Sequence, residues 1–580
     1  MTAPSSPRGR VRARWRRAPE PDAAQVQALQ AALRLPRALC ELLVGRGLSG
    51  EAEARRYLRP QLEQLHAPGL LKDMDVAVDR LVRAIGAGEM ILVHGDYDVD
   101  GMCSTALMTR TLRALGGVVT PFIPDRVGDG YDLGPAGVQA ALEAKAGVVL
   151  TCDCGTSAVA SVQALQDAGV DVIISDHHLP GGPLPPAYAV LNPQRADDRS
   201  PDKDLAAVGV AFKLALALTR AMGGNEAVVL NMLDLVALAT VADVAQLRGE
   251  NRVFVRLGLP MIASSRSVGL RALVRAAGLD GKEITAGRVG YTLAPRLNAL
   301  GRIGRAIDGV RLLLTEREDE ANQLARQCEE LNGERQELNR RILDEALRRV
   351  GAMDLDAMWG LVLHGVDWHP GVIGIVASKV VEQTGRPAML IAVKDGVGKG
   401  SGRSIPAFDL HAALQGCDDL LIKHGGHKAA AGLTIDAKQL DAFSARFNEV
   451  ARAALTADDL VPSLRVDLSI ALDDADDELE KMLRYLEPCG IGNPGPVFSA
   501  RGVRLLSGPD KIGADGVKVR LATARGPLEA VGWGMAHRAE ELVAARQGTM
   551  EIAFKLGRNE YRGASALQAV LVDFAVDGAP

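Results

Sequence analysis

Between residues 90 and 191 lie five short apolar runs: MILV (90–93), VVTPFI (118–123), GVVLT (147–151), VDVIIS (170–175) and AYAVL (187–191). Amphipathic stretches of helical length separate them. This alternation restricts the fold more than any other feature of the chain. Strands that read as continuous apolar runs are buried on both faces, and crossover helices between them dictate a parallel sheet. In such a sheet every carboxyl end lies on one edge, where ligands bind.

The residues delivered to that edge are acids and histidines. MILV runs into HGDYDVDG (94–101), where His94 precedes Asp96, Asp98 and Asp100 and Gly101 closes the turn before a helix. GVVLT ends in CDCG (152–155) with Asp153, and VDVIIS ends in DHHLPG (176–181) with Asp176, His177 and His178. VADV (241–244) adds Asp243 at the end of an apolar helix. Like charges in one place repel and call for a cation. Carboxylate oxygen with imidazole nitrogen suits Mn²⁺ or Mg²⁺ better than a thiolate-selected metal. An EF-hand is excluded, because no Glu stands at the twelfth loop position. Two ions bridged by one carboxylate form a phosphoryl-transfer site, and Asp153, alone on the middle strand, is the bridging candidate.

At roughly 100–200 residues per domain, 580 residues imply three or four domains. We read an α/β multidomain chain: a basic arm and helical leading region (1–70), a parallel-sheet catalytic domain (71–315) and a long connecting helix (316–352). A smaller α/β domain (353–456) follows, then a C-terminal β-barrel (457–580) rich in short strands between Gly, Pro and Asp. The leading segment MTAPSSPRGRVRARWRR carries six arginines and no apolar core, so it is not a secretory signal and reads either as a basic arm for phosphate backbones or as a disordered solubilising tail.

Composition narrows the function. No run of about 18 apolar residues exists, so no membrane span is expected. The net charge of −5 excludes a globally basic nucleic-acid coat, and 3% aromatics argues against a protein working mainly by stacking bases. A polyanion would therefore be met by a local patch or by metal ions. Seven scattered cysteines, an odd number, argue against a disulfide framework and for a reducing, cytoplasmic compartment. In the barrel region Phe498, Trp533, Phe554 and Tyr561 are either stacking groups or core.

HGDYDVDG, CDCG, SDHHLPG and VADV, in this order, resemble the DHH phosphoesterase superfamily. PRLNALGRI (295–303), HPGVIGIVASKV (369–380), GSGRS (400–404) and HGGHKAAAG (424–432) narrow the resemblance to the RecJ family of single-strand-specific 5′→3′ exonucleases. The resemblance runs from about residue 75 to 455. It implies a DHH catalytic domain, a DHHA1 substrate-binding domain and an OB-fold. It implies metal ligation by His94, Asp98, Asp100, Asp153, His177 and Asp243, with Asp96 and Asp176 as supporting acids. His178 is the candidate to contact the scissile phosphate or assist the leaving group. Ser401, Arg403, His424 and His427, with Asn298 and Arg302, are substrate-binding candidates, Arg403 and His427 for the 5′-terminal phosphate. One departure stands out: Cys154 occupies a position where the family usually has asparagine.

The implied activity is hydrolysis of single-stranded DNA from its 5′ end to mononucleotides, in DNA repair and recombination, with two Mn²⁺ or Mg²⁺ ions. The alternative is a DHH phosphodiesterase acting on cyclic dinucleotides or short oligonucleotides, which would not need the β-rich tail. A silent scaffold would have lost ligands, and none is missing. By resemblance the implied partners are a single-strand-binding protein and a RecQ-type helicase, for a chain acting as a monomer away from membranes.

Overall fold

The computed structural model describes residues 13–126, 128–561 and 564–576. The first twelve residues of the arginine-rich arm lie outside them. Its last four, strand β1 (Arg14–Arg17), pair in parallel with a strand far along the chain, Ser463–Val466. That end of the arm is therefore built into the fold.

The five apolar runs form the parallel strands β2 (Met90–Gly95), β3 (Val118–Phe122), β4 (Val148–Cys152), β5 (Asp171–Ser175) and β6 (Ala189–Leu191), in the order β3-β2-β4-β5-β6. Side chains alternate between two cores. Ile91, Val93, Val148, Leu150 and Ile173 join the helices on one face, while Leu92, Val149, Val172, Ile174 and Val190 pack on the other. Burial on both faces is why these runs carry no polar alternation.

The helix Glu318–Gly351 has 34 residues, about 51 Å at 1.5 Å per residue. Its first half buries Ala321, Leu324, Ala325 and Cys328 in the first lobe's core, and its second half buries Ile342, Ala346 and Val350 in the second lobe. One rigid element thus sets the spacing of two lobes. The second lobe's sheet contains β7 (Leu361–Gly365), β8 (Ala388–Lys394), β9 (Val397–Arg403), β10 (Lys423–Gly426) and β11 (Ala430–Asp436), in the order β10-β11-β9-β8-β7. Only the β7–β8 pair is parallel.

Beyond β12 (Ser463–Val466), a seven-stranded sheet closes the chain. Its core also takes Val26, Leu29, Leu39, Leu42, Leu43 and Leu58 from three N-terminal helices. The sequence reading separates residues 1–70 from 457–580, yet the two regions share one core. Three short amphipathic helices have too little surface to bury each other, so they cover the sheet instead. Phe498 and Phe554 are fully buried in this core, whereas Trp533 is 59% exposed. The Tyr561 side chain lies outside the described residues.

Arg252 fastens this unit to the catalytic lobe. Its guanidinium donates to the carbonyls of Tyr57, Tyr485, Leu486, Glu487 and Pro488 at 2.9–3.3 Å and stacks on the Tyr57 ring at 3.9 Å. Replacing it with methionine keeps bulk but strands several buried carbonyls, each costly to leave unpaired. Arg252→Met is expected to lower stability by about 3 kcal/mol and to split thermal unfolding into two calorimetric transitions. A single transition at the parent's temperature would refute the fastening role.

Candidate metal centre and substrate cleft

Each acid at the sheet edge is held by backbone. Past β2 the chain folds over the start of the helix Val99–Ala114, so closely that a Cβ at Gly101 would lie 2.4 Å from the Asp96 carbonyl oxygen. Asp98 caps that helix, accepting from the N–H groups of Asp100 at 2.9 Å and Gly101 at 3.2 Å. Asp100, in the first turn, accepts from the N–H groups of Ala207 at 2.8 Å and Val208 at 2.9 Å, which open the helix Ala207–Ala221. Asp153 follows β4 at φ +68°, its N–H donating to the Ser175 carbonyl at 2.9 Å. Asp176 accepts from the N–H groups of Thr156, His177 and His178 and from His178 Nδ1 at 2.7 Å.

The two histidines differ in charge. His177 donates Nδ1–H to the Leu205 carbonyl at 3.1 Å, which leaves Nε2 as a lone pair. Burial lowers it to about 4, so the ring is neutral. Its Nε2 lies 3.3 Å from Asp153 Oδ1 and 3.8 Å from Asp243 Oδ2. Burial also acts to lower His178, but the bond to Asp176 and that residue's charge outweigh it and raise His178 to about 9. The same pair works in reverse on Asp176: burial favours its protonation, and the bond and charge of His178 override this and hold it well below the usual range.

Potential ligand atoms converge in three groups: Asp96, Asp98 and Asp153; Asp153, His177 and His178; and Asp100, His177 and Asp243. Within each, one atom from every residue lies within 4.8 Å of the others. Asp153 belongs to the first two groups and His177 to the last two. Burial first, and then neighbouring carboxylates, push Asp96, Asp153 and Asp243 well up and Asp100 to about 7. Asp96 Oδ1, Asp153 Oδ1 and His177 Nε2 are buried with no hydrogen-bond partner. Orphaned acceptors aimed at one another are the donor set that a divalent ion requires.

The geometry of Asp96 and His94 adds to their sequence readings. Asp96, read as a supporting acid, presents a bare oxygen within the first group. His94, read as a ligand, stands outside the three groups, and its Nε2 is likewise buried with no hydrogen-bond partner. Its buried ring sits beneath the edge, with Nδ1 3.5 Å from Cys154 Sγ and Phe122 at 5.4 Å between centroids. Its Nε2 occupies the space left by Gly137, where a Cβ would come within 2.6 Å. The sulfur of Cys154 accordingly lies on His94, while the Asp153 turn is tied by its own N–H and by Gly155 N–H donating to Asp132 at 2.6 Å. Asp132 adopts φ +78° and was not anticipated, nor was Tyr131, whose hydroxyl lies 3.3 Å from the His178 ring nitrogens. The only trace of either is the loop GDGYDLG (128–134).

A cleft of about 430 Å³ opens between the lobes, with Tyr97 and Arg126 on one side and Lys399, Ser401, Lys423 and His424 on the other. Arg302 crosses it, donating to the Gly371 carbonyl at 3.0 Å. Burial, and then the charges of Arg126 and Arg335, lower Arg302 to about 10. Arg403 is lowered by burial and then by Arg126, and it bonds Ser401 Oγ at 3.3 Å. Arg126, close enough to depress both Arg302 and Arg403, forms with them a seat for an anion. Asn298 is half-buried one turn before Arg302, and His424 bonds Asp418 at 3.0 Å with a buried Nδ1 left unpartnered. His427 does not join them. It is exposed in the tight turn between β10 and β11, its N–H bonded to the Ala430 carbonyl, because the glycine-rich segment is a hairpin and not a continuous cradle.

Family models match three stretches of the chain: the DHH family N-terminal domain over residues 90–240, the DHHA1 domain over 358–453 and the RecJ OB domain over 466–573. The single-stranded-DNA-specific exonuclease RecJ of Bacillus subtilis (strain 168) is 36% identical over 560 residues, covering 96% of this chain and 70% of the relative. RecJ from Thermus thermophilus in complex with Mn²⁺ superposes with a TM-score of 0.83 at 34% identity, over 98% of this chain and 80% of that one. The Mg²⁺ complex of the same protein gives 0.77 at 32% identity, over 98% and 79%. With three domains matched in order and more than nine-tenths of its length aligned, this chain belongs to the RecJ family.

Proposed function

We propose that this chain is a metal-dependent exonuclease that hydrolyses single-stranded DNA from its 5′ end to mononucleotides. The observation that carries the proposal is the juxtaposition of orphaned ligand atoms at the sheet edge with the arginine seat across the cleft. Asp96, Asp98 and Asp153 would hold one divalent ion, and Asp100, His177 and Asp243 a second. Two such ions, Mn²⁺ or Mg²⁺, supply a hydroxide at neutral pH and neutralise charge on the phosphorus oxygens.

The chain's own groups do the rest. Arg126, Arg302 and Arg403, with Ser401, grip the terminal phosphate and set the register of the strand. His178 stays protonated at neutral pH, and Asp176 fixes its ring, so it can donate to the scissile phosphate or to the departing 3′ oxygen. The Arg302–Gly371 bond spans the cleft and leaves room at the seat for a chain end. A single-strand-binding protein and a RecQ-type helicase as partners, monomeric action and a cytoplasmic location rest on the family resemblance; among the described residues no helix is long and apolar enough to cross a membrane.

The test is digestion of a long 5′-phosphorylated strand, labelled at either end, against a duplex and a dinucleotide, with each metal in turn. Release of labelled mononucleotide from the 5′ end of the single strand supports the proposal, and preference for the dinucleotide overturns it. Asp153→Asn is expected to abolish hydrolysis under both metals while single strands still bind in an anisotropy assay. Full activity in that variant would remove the shared-ligand assignment. Gly301 supplies an indirect test: a Cβ there would lie 1.9 Å from the Tyr97 carbonyl oxygen, inside the turn that carries Asp96 and Asp98. Gly301→Ala is expected to lower kcat roughly 10²-fold by displacing those acids, read as single-turnover rates.

A further inference from the structure

Tyr291 is 90% exposed, an unusual state for a large aromatic that is not explained by the sites described above. It stands in the middle of a π-helical turn, Val289–Leu293, which runs directly into the helix Ala294–Ile303. Val289 and Leu293 on either side are fully buried, so the turn is anchored while Tyr291 is presented to solvent. Isolated π-helical turns are rare and concentrate at functional sites.

One contact places this turn at the rim of the catalytic edge. A Cβ at Gly290 would meet Val241 at 3.8 Å, so the turn packs on the last turn of the helix Leu233–Ala242, whose C-cap is Asp243. Val244, directly after Asp243, is 61% exposed at φ +62°, a conformation that a β-branched residue avoids unless its surroundings impose it. Further along, Asn298 and Arg302 lie seven and eleven residues beyond Tyr291, on the helix that continues the turn. Arg302 lies roughly 16 Å away along the axis, within the electrostatic reach of Asp98.

We propose that the Tyr291 ring is a stacking platform for an unpaired nucleobase of the bound strand, on the 3′ side of the scissile phosphate, with Val244 as apolar surface on the same rim. The inference rests on the exonuclease reading and deepens it by adding a base-contacting subsite to a site otherwise built for phosphate. At about 3.4 Å per stacked nucleotide, the platform falls within roughly five nucleotides of the end held at Arg302. An unpaired base offers both faces for stacking, whereas a base inside a duplex is already stacked on its neighbours, so the platform favours single strands without reading sequence.

The experiment walks one abasic residue along a short 5′-phosphorylated single strand with non-hydrolysable linkages, and reads equilibrium binding by anisotropy in Mn²⁺. The parent chain is expected to lose roughly tenfold in affinity at one position among the first five. Tyr291→Ala should lose a similar factor on the intact strand and show a flat abasic profile, while Tyr291→Phe and Tyr291→Trp, which keep the ring, should behave as the parent. A Tyr291→Ala profile identical to the parent's, or a parent with no sensitive position, overturns the platform. Digestion of unmodified strands is measured in parallel. A parent that digests strands but shows no abasic minimum loses the platform alone; one that shows the minimum but digests nothing keeps the platform and loses the exonuclease reading. Failure to bind any single strand overturns both.

Discussion

Mutual repulsion among the acids at one sheet edge is the constraint around which the molecule is arranged. Asp96, Asp98, Asp100, Asp153 and Asp243 are close enough for burial and each other's charge to raise most of them towards protonation. The fold resists this with donors that cannot move: the N–H groups at two helix starts for Asp98 and Asp100, and those of the turns after β4 and β5 for Asp176. Spending the donors on some oxygens leaves others bare, and the bare oxygens face one another. Affinity for a cation and preorganisation of the site therefore arise from the same bonds.

The cleft answers with the opposite charge, Arg126 and Arg302 coming from the catalytic lobe and Arg403 from the second. Arg302 and Arg403 are half-buried, and desolvation first and then neighbouring arginines depress them, a state that an incoming phosphate relieves. Bringing Arg403 to the other two arginines requires that two separate cores keep a fixed spacing, and the 34-residue helix does so by burying each half in a different core. The carbonyl cluster around Arg252 plays a comparable part on the other side, where the N-terminal helices and the C-terminal sheet form one body against the catalytic lobe. A mildly acidic chain thus meets a polyanion through two local arrangements, and its net charge of −5 records the first of them.

Much of this was legible from residues alone. The five apolar runs are strands because nothing else of that length and composition buries both faces, and the acids at their ends share an edge because parallel strands share direction. The break at residue 316 was legible for a similar reason: a proline-free, amphipathic stretch has no better conformation than a helix. Spacing along the chain says which residues are near an edge but not how a ring turns beside a neighbour that lacks a side chain, as His94 does at Gly137, or where a hairpin leaves it, as with the exposed His427. Asp132 and Tyr131 left no usable signal, since their importance lies in a loop folded against the Asp153 turn and His178.

The sequence by itself determined the sheet, its functional edge and the chemical class of the site, because periodicity and residue type act locally and add up along the chain. Only the tertiary structure decided which oxygens stay bare, which histidine carries charge, and that the helices between residues 23 and 58 belong to the C-terminal body. Those outcomes depend on which donors reach which acceptors across hundreds of residues, as when Ala207 and Val208 meet Asp100, or when Ser463–Val466 meets Arg14–Arg17. Such pairings are settled by packing in three dimensions, where burial makes every unpaired polar atom costly.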